Sequence, residues 1–372
     1  MGDDRRTVIL LGDYDGDYYR EISLRDGLRS QGVTVYECRY RSEPLFLGLK
    51  KLVFLPLFYL RIWRQVRAAA READDVDAIF VTKFNPLILP LATLFAWRLG
   101  ATLVYDLFVS LSRTVEMHGY AAWKARVVYW IEFLALRLPD LNLTETAAFG
   151  DLYADLYSIP RDRLLGVPIG ADDTWFHPDN DANTFTEFTV VYWGNFLPHH
   201  GLDTVIDAAA LLDDEEMQFE LYGEGPEKDR IQRRVEDNGL QNVTFHGRVP
   251  WEELSVAAAG ADVALGIFAD DVRSDASITN KVTEGVAAGS AVVTMDASGI
   301  REWFDHGEDI YLIPPADPDA LAEAILTLRD NPELRSRIAT GGRETYERVF
   351  SVDRIGQTII EHLGWKPADQ SC

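Results

Sequence analysis

Short apolar runs alternate with helix-length amphipathic stretches through most of the chain. The first run, Thr7–Leu11 (TVILL), ends at Gly12 and is too short for a buried helix, so it predicts a strand. The loop DYDGDYY follows, and Arg20–Arg29 predicts the first helix. Further strands are expected at Val33–Glu37, Ala78–Thr82, Thr102–Tyr105 and Leu141–Leu143, with helical stretches between them. That βαβα alternation is the pattern of a parallel sheet. A passage rich in turn residues and without periodicity, Thr174–Glu187, predicts a linker. A second alternation then begins with the strand Phe188–Trp193, which ends in Gly194. It continues through the loop Asn195–Gly201, the helix Leu202–Leu212, the strand Phe219–Tyr222 and the helix Lys228–Asn238. Strands at Val243–Phe245, Val263–Ile267 and Ala291–Met295 complete it. Helices are expected after Asp317 and Pro332, and Arg354–Leu363 is expected to pack back on the first half. The fold class is therefore α/β, with two Rossmann-like domains at 1–173 and 187–353 and a returning helix over about 354–372.

The stretch Ser274–Val292 (SDASITNKVTEGVAAGSAV) has readable ends. Thr279 or Asn280 can serve as N-cap, Lys281–Ala288 forms the helix body, and Gly289 supplies the left-handed residue beyond it. Glu284 lies one turn inside, with Lys281 three residues earlier on the same face. Amide groups and the positive dipole end at such an N-terminus suit a diphosphate. The plain alternative is an ordinary crossover helix whose Lys281–Glu284 pair is solvated.

Two segments differ from the rest in charge. Pro44–Arg71 is rich in Leu and Phe, and Lys50, Lys51, Arg61, Arg64, Arg67 and Arg71 supply all its charge. Its uncharged core, Leu52–Leu60, is too short to cross a bilayer. Cationic and aromatic residues in one amphipathic stretch predict a helix lying on an anionic membrane surface. Trp123–Arg137 carries Lys124, Arg126, Arg137 and one acid, Glu132. It reads as a core helix with snorkelling basic residues. The apolar run Pro86–Trp97, interrupted by Pro90, also reads as core.

Composition narrows the partners. The 372 residues are 47% hydrophobic and 26% charged, enough for two domains with separate cores. A formal charge of −24 argues against a nucleic-acid partner, which needs basic surface. The acids are spread along the chain and lysine is scarce, the pattern of a protein kept soluble in concentrated salt, so a halophilic cytoplasm is expected. The two cysteines, Cys38 and Cys372, give no disulfide framework or metal cage. Asp13, Asp15 and Asp17 lack the downstream Glu of a calcium loop and read as a solvated acidic loop. The start, MGDDRR, has no apolar segment of a signal peptide, so a cytoplasmic chain is expected.

The order of landmarks resembles retaining glycosyltransferases of family 4, with the GT-B architecture of two facing Rossmann-like domains and an interdomain cleft. The residues that carry the resemblance are GVPIGADDTWFHP (Gly166–Pro178), VVYWGNFLPHHGLDTVIDAAALL, LYGEGPEKDRIQ, NVTFHGRVPWEEL and KVTEGVAAGSAVV. With the acidic composition, this implies a haloarchaeal-type member. The resemblance implies that Glu284 holds the donor ribose, and that the amides of Ile278, Thr279 and Asn280 face the diphosphate and sugar. Arg248 and Val249 then contact the base, beside the turn at Gly223. Gly12 approaches the phosphates from the first domain, and Asp106 stands at the catalytic centre. Three positions depart from the family pattern. Ala276 replaces the first Glu of the E-x7-E motif, with Asp275 or Ser277 as possible substitutes. Asn195 and His200 stand where Arg and Lys commonly clamp the diphosphate, and Lys281 is the candidate to replace that charge.

Such an enzyme needs no cofactor and no metal. Its implied partners are a nucleoside-diphosphate sugar, an acceptor glycan or lipid-linked sugar, and the inner face of the cell membrane. Two alternatives are a sugar-nucleotide epimerase and a catalytically degenerate sugar-nucleotide-binding scaffold.

Overall fold

The computed structural model describes residues 6–12, 19–39, 55–82, 86–107, 110–112, 121–180 and 185–367. The chain forms two compact units, Met1–Pro168 with Ile355–Cys372, and Ile169–Arg354.

In the first unit the elements run β1 (Thr7–Gly12), α1 (Tyr19–Ser30), β2 (Thr34–Arg39), α2 (Leu55–Glu72), β3 (Ala78–Val81) and α3 (Leu89–Leu99). They continue with β4 (Thr102–Asp106), α4 (Ala122–Ala135), β5 (Leu141–Thr144), α5 (Ala147–Tyr157) and β6 (Leu164–Gly166). All pairings are parallel, in the order β2-β1-β3-β4-β5-β6. The order reverses once, between β1 and β3, so Gly12 ends its strand at the switch point where α/β sheets take ligands. From β2 onward every connection steps the same way across the sheet. Right-handed crossovers therefore put α2, α3, α4 and α5 on one face, and α1 on the other.

The second unit runs β7 (Phe188–Trp193), α6 (Leu202–Leu211), β8 (Met217–Tyr222), α7 (Lys228–Asn238), β9 (Val243–Gly247) and α8 (Trp251–Gly260). It continues with β10 (Val263–Leu265), α9 (Val272–Ala276), α10 (Asn280–Ala287), β11 (Ala291–Met295), β12 (Tyr311–Ile313), α11 (Pro318–Asp330) and α12 (Pro332–Thr345). Its parallel sheet has the order β12-β11-β10-β7-β8-β9, which reverses between β7 and β10. Two doubly wound parallel units are what the alternation predicts.

The last helix, α13 (Val352–His362), returns to the first unit. Its Ile355, Ile359 and Ile360 join Val8, Leu10, Leu24 and Leu28 in one core cluster. Gly356 lets it lie on α1, because a Cβ there would sit 1.8 Å from the Gly27 carbonyl oxygen.

Three expectations change. The proposed linker is partly core, because Phe176 is buried and stacks on Trp193. Pro90 opens α3 instead of interrupting it, since the first turn has no amide to lose there. The segment 123–137 is not a core helix. Of α4 only Val128, Glu132 and Ala135 are buried, while Trp123, Val127, Trp130 and Leu134 are exposed.

Candidate nucleotide-sugar site

In the second unit, the neighbouring strands β7, β8 and β9 each end at a glycine with positive φ, Gly194 (127°), Gly223 (135°) and Gly247 (70°). Their backbones cross-link, with Gly194 N–H donating to the Tyr222 carbonyl at 3.0 Å and Gly223 N–H to the Gly247 carbonyl at 2.6 Å. A Cβ on Gly223 would lie 1.9 Å from the Gly194 carbonyl oxygen, so only glycine fits this bed. Beside it, at the switch point, stands the N-terminus of α10.

Thr279 is the N-cap residue of α10, but its side chain makes no capping bond and its buried hydroxyl has no partner. The first intrahelical bonds run to the Thr279 carbonyl from Val282 and Thr283. The amides of Asn280 and Lys281 precede them, so the positive end of the helix dipole is not neutralised by an acid in the first turn.

Behind this end lies a buried polar group. Glu284 is 5% exposed and its Oε2 accepts a 2.6 Å hydrogen bond from the Trp193 indole. Burial raises its pKa from 4.5 to about 7, against the opposing pull of that bond and of Lys281. Lys281 is equally buried, and burial lowers its pKa from 10.5 to about 8, with Glu284 opposing. Its ammonium lies 5.2 Å from the centre of the Tyr192 ring. It also lies directly under Gly194, where a Cβ would meet Nζ at 3.0 Å. The solvated-pair reading of Lys281 and Glu284 is therefore replaced by a buried pair.

Neither histidine of the loop after Gly194 supplies a further cation. His200 is buried, its Nδ1 is 2.8 Å from the Tyr192 hydroxyl, and its pKa falls to about 2 through burial and the nearby Lys281. It is therefore neutral, and the departure from a clamping cation at this position stands. Its neighbour His199 is lowered to about 4 by burial and Arg273. Asn195 is exposed and pairs loosely with exposed Arg248, whose guanidinium is 3.5 Å from its side-chain oxygen. Val249 follows on the same partly exposed loop. Ile278 is fully buried, which leaves only its main chain to face a ligand.

Both candidate substitutes for the missing Glu already hold hydrogen bonds within the second unit. Asp275 accepts from the Ser298 amide and hydroxyl, and the Ser277 hydroxyl donates to the Arg273 carbonyl. Ala276 itself is buried against Gly299, where a Cβ would lie 2.5 Å from the Ala276 oxygen.

Gly12 and Asp106 belong to the first unit, at the ends of β1 and β4. Asp106 is buried and its Oδ1 accepts from Arg20 Nε at 3.0 Å and Arg20 NH2 at 2.8 Å. Arg20 also donates to the Val167 carbonyl at 2.5 Å, so one guanidinium ties α1 to β4 and to the chain beyond β6. Lys50 and Lys51 lie outside the described residues, while Arg61 and Arg64 are exposed on α2. Trp193 was legible only as the end of a strand, and the signal for its role is an aromatic directly before the strand-ending Gly194.

Residues 187–331 match the family model described as "Glycosyl transferases group 1", and residues 4–170 match the "Glycosyl transferase 4-like domain". Each half of the chain thus matches a model of a glycosyltransferase domain. The lipopolysaccharide core biosynthesis glycosyltransferase LpsD of Rhizobium meliloti is 30% identical over 175 residues, 47% of this chain and 48% of that protein. The chain thus spans about half the length of that relative. The alpha-D-kanosaminyltransferase of Streptomyces kanamyceticus is 25% identical over 321 residues, 82% of this chain and 80% of that protein. Anabaena HepE, solved in complex with UDP, shares 18% identity at a TM-score of 0.71, covering 96% of this chain and 99% of that one. At that identity the likeness speaks for the fold, which is GT-B. An epimerase finds no support, because both halves match glycosyltransferase domains.

Proposed function

We propose that the protein is a retaining glycosyltransferase that moves a sugar from a nucleoside-diphosphate sugar to an acceptor hydroxyl in glycan assembly. The observation that carries this reading is the uncapped amide end of α10, set at the switch point beside three glycine-ended strands. A diphosphate is the ligand such an end favours, because aligned amides offer fixed positive charge without reorganisation. The buried ammonium of Lys281 supplies the cation that Asn195 and neutral His200 lack. In this reading Glu284, one turn below, would accept from the donor ribose, and the strand ends with Arg248 and Val249 would bed the base. HepE is solved with UDP and with UDP-glucose, which supports a uridine-nucleotide donor.

In this reading the bond from the anomeric carbon to the diphosphate breaks first, its electron pair leaving with the phosphate oxygen. The resulting oxocarbenium-like sugar is attacked on the same face by the acceptor hydroxyl, whose proton passes to the departing phosphate. The amide end and Lys281, rather than a metal ion, stabilise the leaving charge. Asp106 serves as a positioning residue, fixing the end of β4 through Arg20. The acceptor is lipid-linked and lies at the inner membrane face, in keeping with the cationic α2, and the acidic surface suits a salt-rich cytoplasm.

Thermal stabilisation by UDP-, GDP- and ADP-sugars in molar KCl tests the donor. A true donor at about 100 times its Kd adds about 2.7 kcal/mol of stability. Lys281→Met should lose most of that gain. Failure of every nucleotide sugar to stabilise the folded protein would overturn the proposal. Donor binding without transfer, equal in wild type and Glu284→Ala, would instead establish a non-catalytic binder.

A further inference from the structure

The outer surface of the first unit carries an unusual concentration of apolar groups. Ten of the thirteen large, exposed hydrophobic side chains among the described residues lie on α2, α3 and α4 or in the turn after α4. These helices are neighbours on one face of the sheet, and Trp63 of α2 touches Phe95 of α3 edge-on at 5.9 Å. On α4, Trp123, Val127, Trp130 and Leu134 recur every three or four residues and form one outward stripe, opposite buried Val128, Glu132 and Ala135. Lys124 and Arg126 project on either side of that stripe. Trp97 of α3 is 79% exposed and Trp123 is 66% exposed, far more than a helix layer needs for packing.

Charge sets this face apart as well. In a chain with 60 acidic residues, the three helices carry only Glu72, at the last position of α2, and the buried Glu132. Arg61, Arg64, Arg67 and Arg71 are exposed on α2, and Arg98 on α3. A second copy of the same face would set arginine against arginine, which favours an anionic occupant. Tryptophan, with an apolar ring and one polar N–H, is suited to the boundary between lipid chains and headgroups. None of the described helices is long and apolar enough to cross a membrane, so contact is through the surface.

We propose that the outer face of the α2–α3–α4 layer seats the first unit on an anionic lipid bilayer. Trp97, Trp123 and Trp130 enter the headgroup level, and the arginines of α2 pair with lipid phosphates. The expected contact thereby extends from α2 to α4, whose apolar stripe is the principal anchor. It depends on this surface alone and holds whether or not the second unit binds a nucleotide sugar.

The test is flotation of the full chain with phosphatidylcholine vesicles containing phosphatidylglycerol, and with phosphatidylcholine alone. The protein should float with the anionic vesicles and remain behind with the neutral ones. Trp123→Ser with Trp130→Ser should weaken partitioning by about tenfold or more. Each of Arg61→Gln and Arg64→Gln should weaken it by about fivefold at low salt, and less at high salt. Unchanged melting temperatures and unchanged nucleotide-sugar stabilisation in these variants exclude unfolding. Absence of the wild type from the anionic vesicles, or equal flotation of wild type and variants, would overturn the proposal. So would a wild-type dimer that the tryptophan substitutions dissociate without any vesicle binding, since a second copy would then cover the face.

Discussion

Replacing Glu284 by Gln should change how stability depends on pH, in a direction set by burial. The carboxyl is 5% exposed, and its pKa in the folded protein is raised from 4.5 to about 7. Between those values the folded state holds a proton that the unfolded chain has lost. The stability contributed by this group is therefore full below about pH 4.5 and is lost as pH rises through about 7. The loss is about 3 kcal/mol, at about 1.4 kcal/mol for each pKa unit. Glutamine keeps an acceptor for the Trp193 indole but cannot ionise. The stability of Glu284→Gln relative to wild type should then climb by most of that amount from about pH 5 to about pH 8. Working above pH 5 also stays clear of the isoelectric point, near 4.6. Urea unfolding followed by tryptophan fluorescence at constant KCl measures the difference. His199 and His200, with folded pKa values of about 4 and about 2, raise stability with pH, but they are common to both proteins and cancel. Parallel stability curves would refute the reasoning, because Glu284 would then ionise as an exposed carboxylate does.

Two further outcomes follow from packing. Arg20→Met should cost about 3–5 kcal/mol by leaving the buried Asp106 charge uncompensated, whereas Arg20→Met with Asp106→Leu should recover much of the loss, read by denaturant unfolding. Gly223→Ala should abolish nucleotide-sugar stabilisation at little cost to the first unit, because its Cβ would collide with the Gly194 carbonyl and displace the strand ends. Calorimetry with and without the donor reads both parts, and a variant that binds donor normally would refute the role of that bed.

What the sequence determined by itself is the alternation of short apolar strands with helices, and with it two doubly wound parallel sheets. It also determined which strands end in glycine and where α10 starts, because Gly194, Gly223 and Gly289 report local backbone conformation and Thr279 a helix boundary. Those signals are confined to a few consecutive residues. Only the tertiary structure decided that Lys281 and Glu284 are buried together, that Trp193 from another element holds Glu284, and that His200 is neutral. Spacing in one helix cannot show what another strand lays across it, and the pKa values follow from that covering. The pairing of Asp106 with Arg20, 86 residues away, is of the same kind. The helix α4 shows the limit most plainly. Its apolar residues run nearly all the way round, a pattern that predicts burial on every side. A sheet covers only one side of the helices that lie on it, so the stripe from Trp123 to Leu134 is left facing outward.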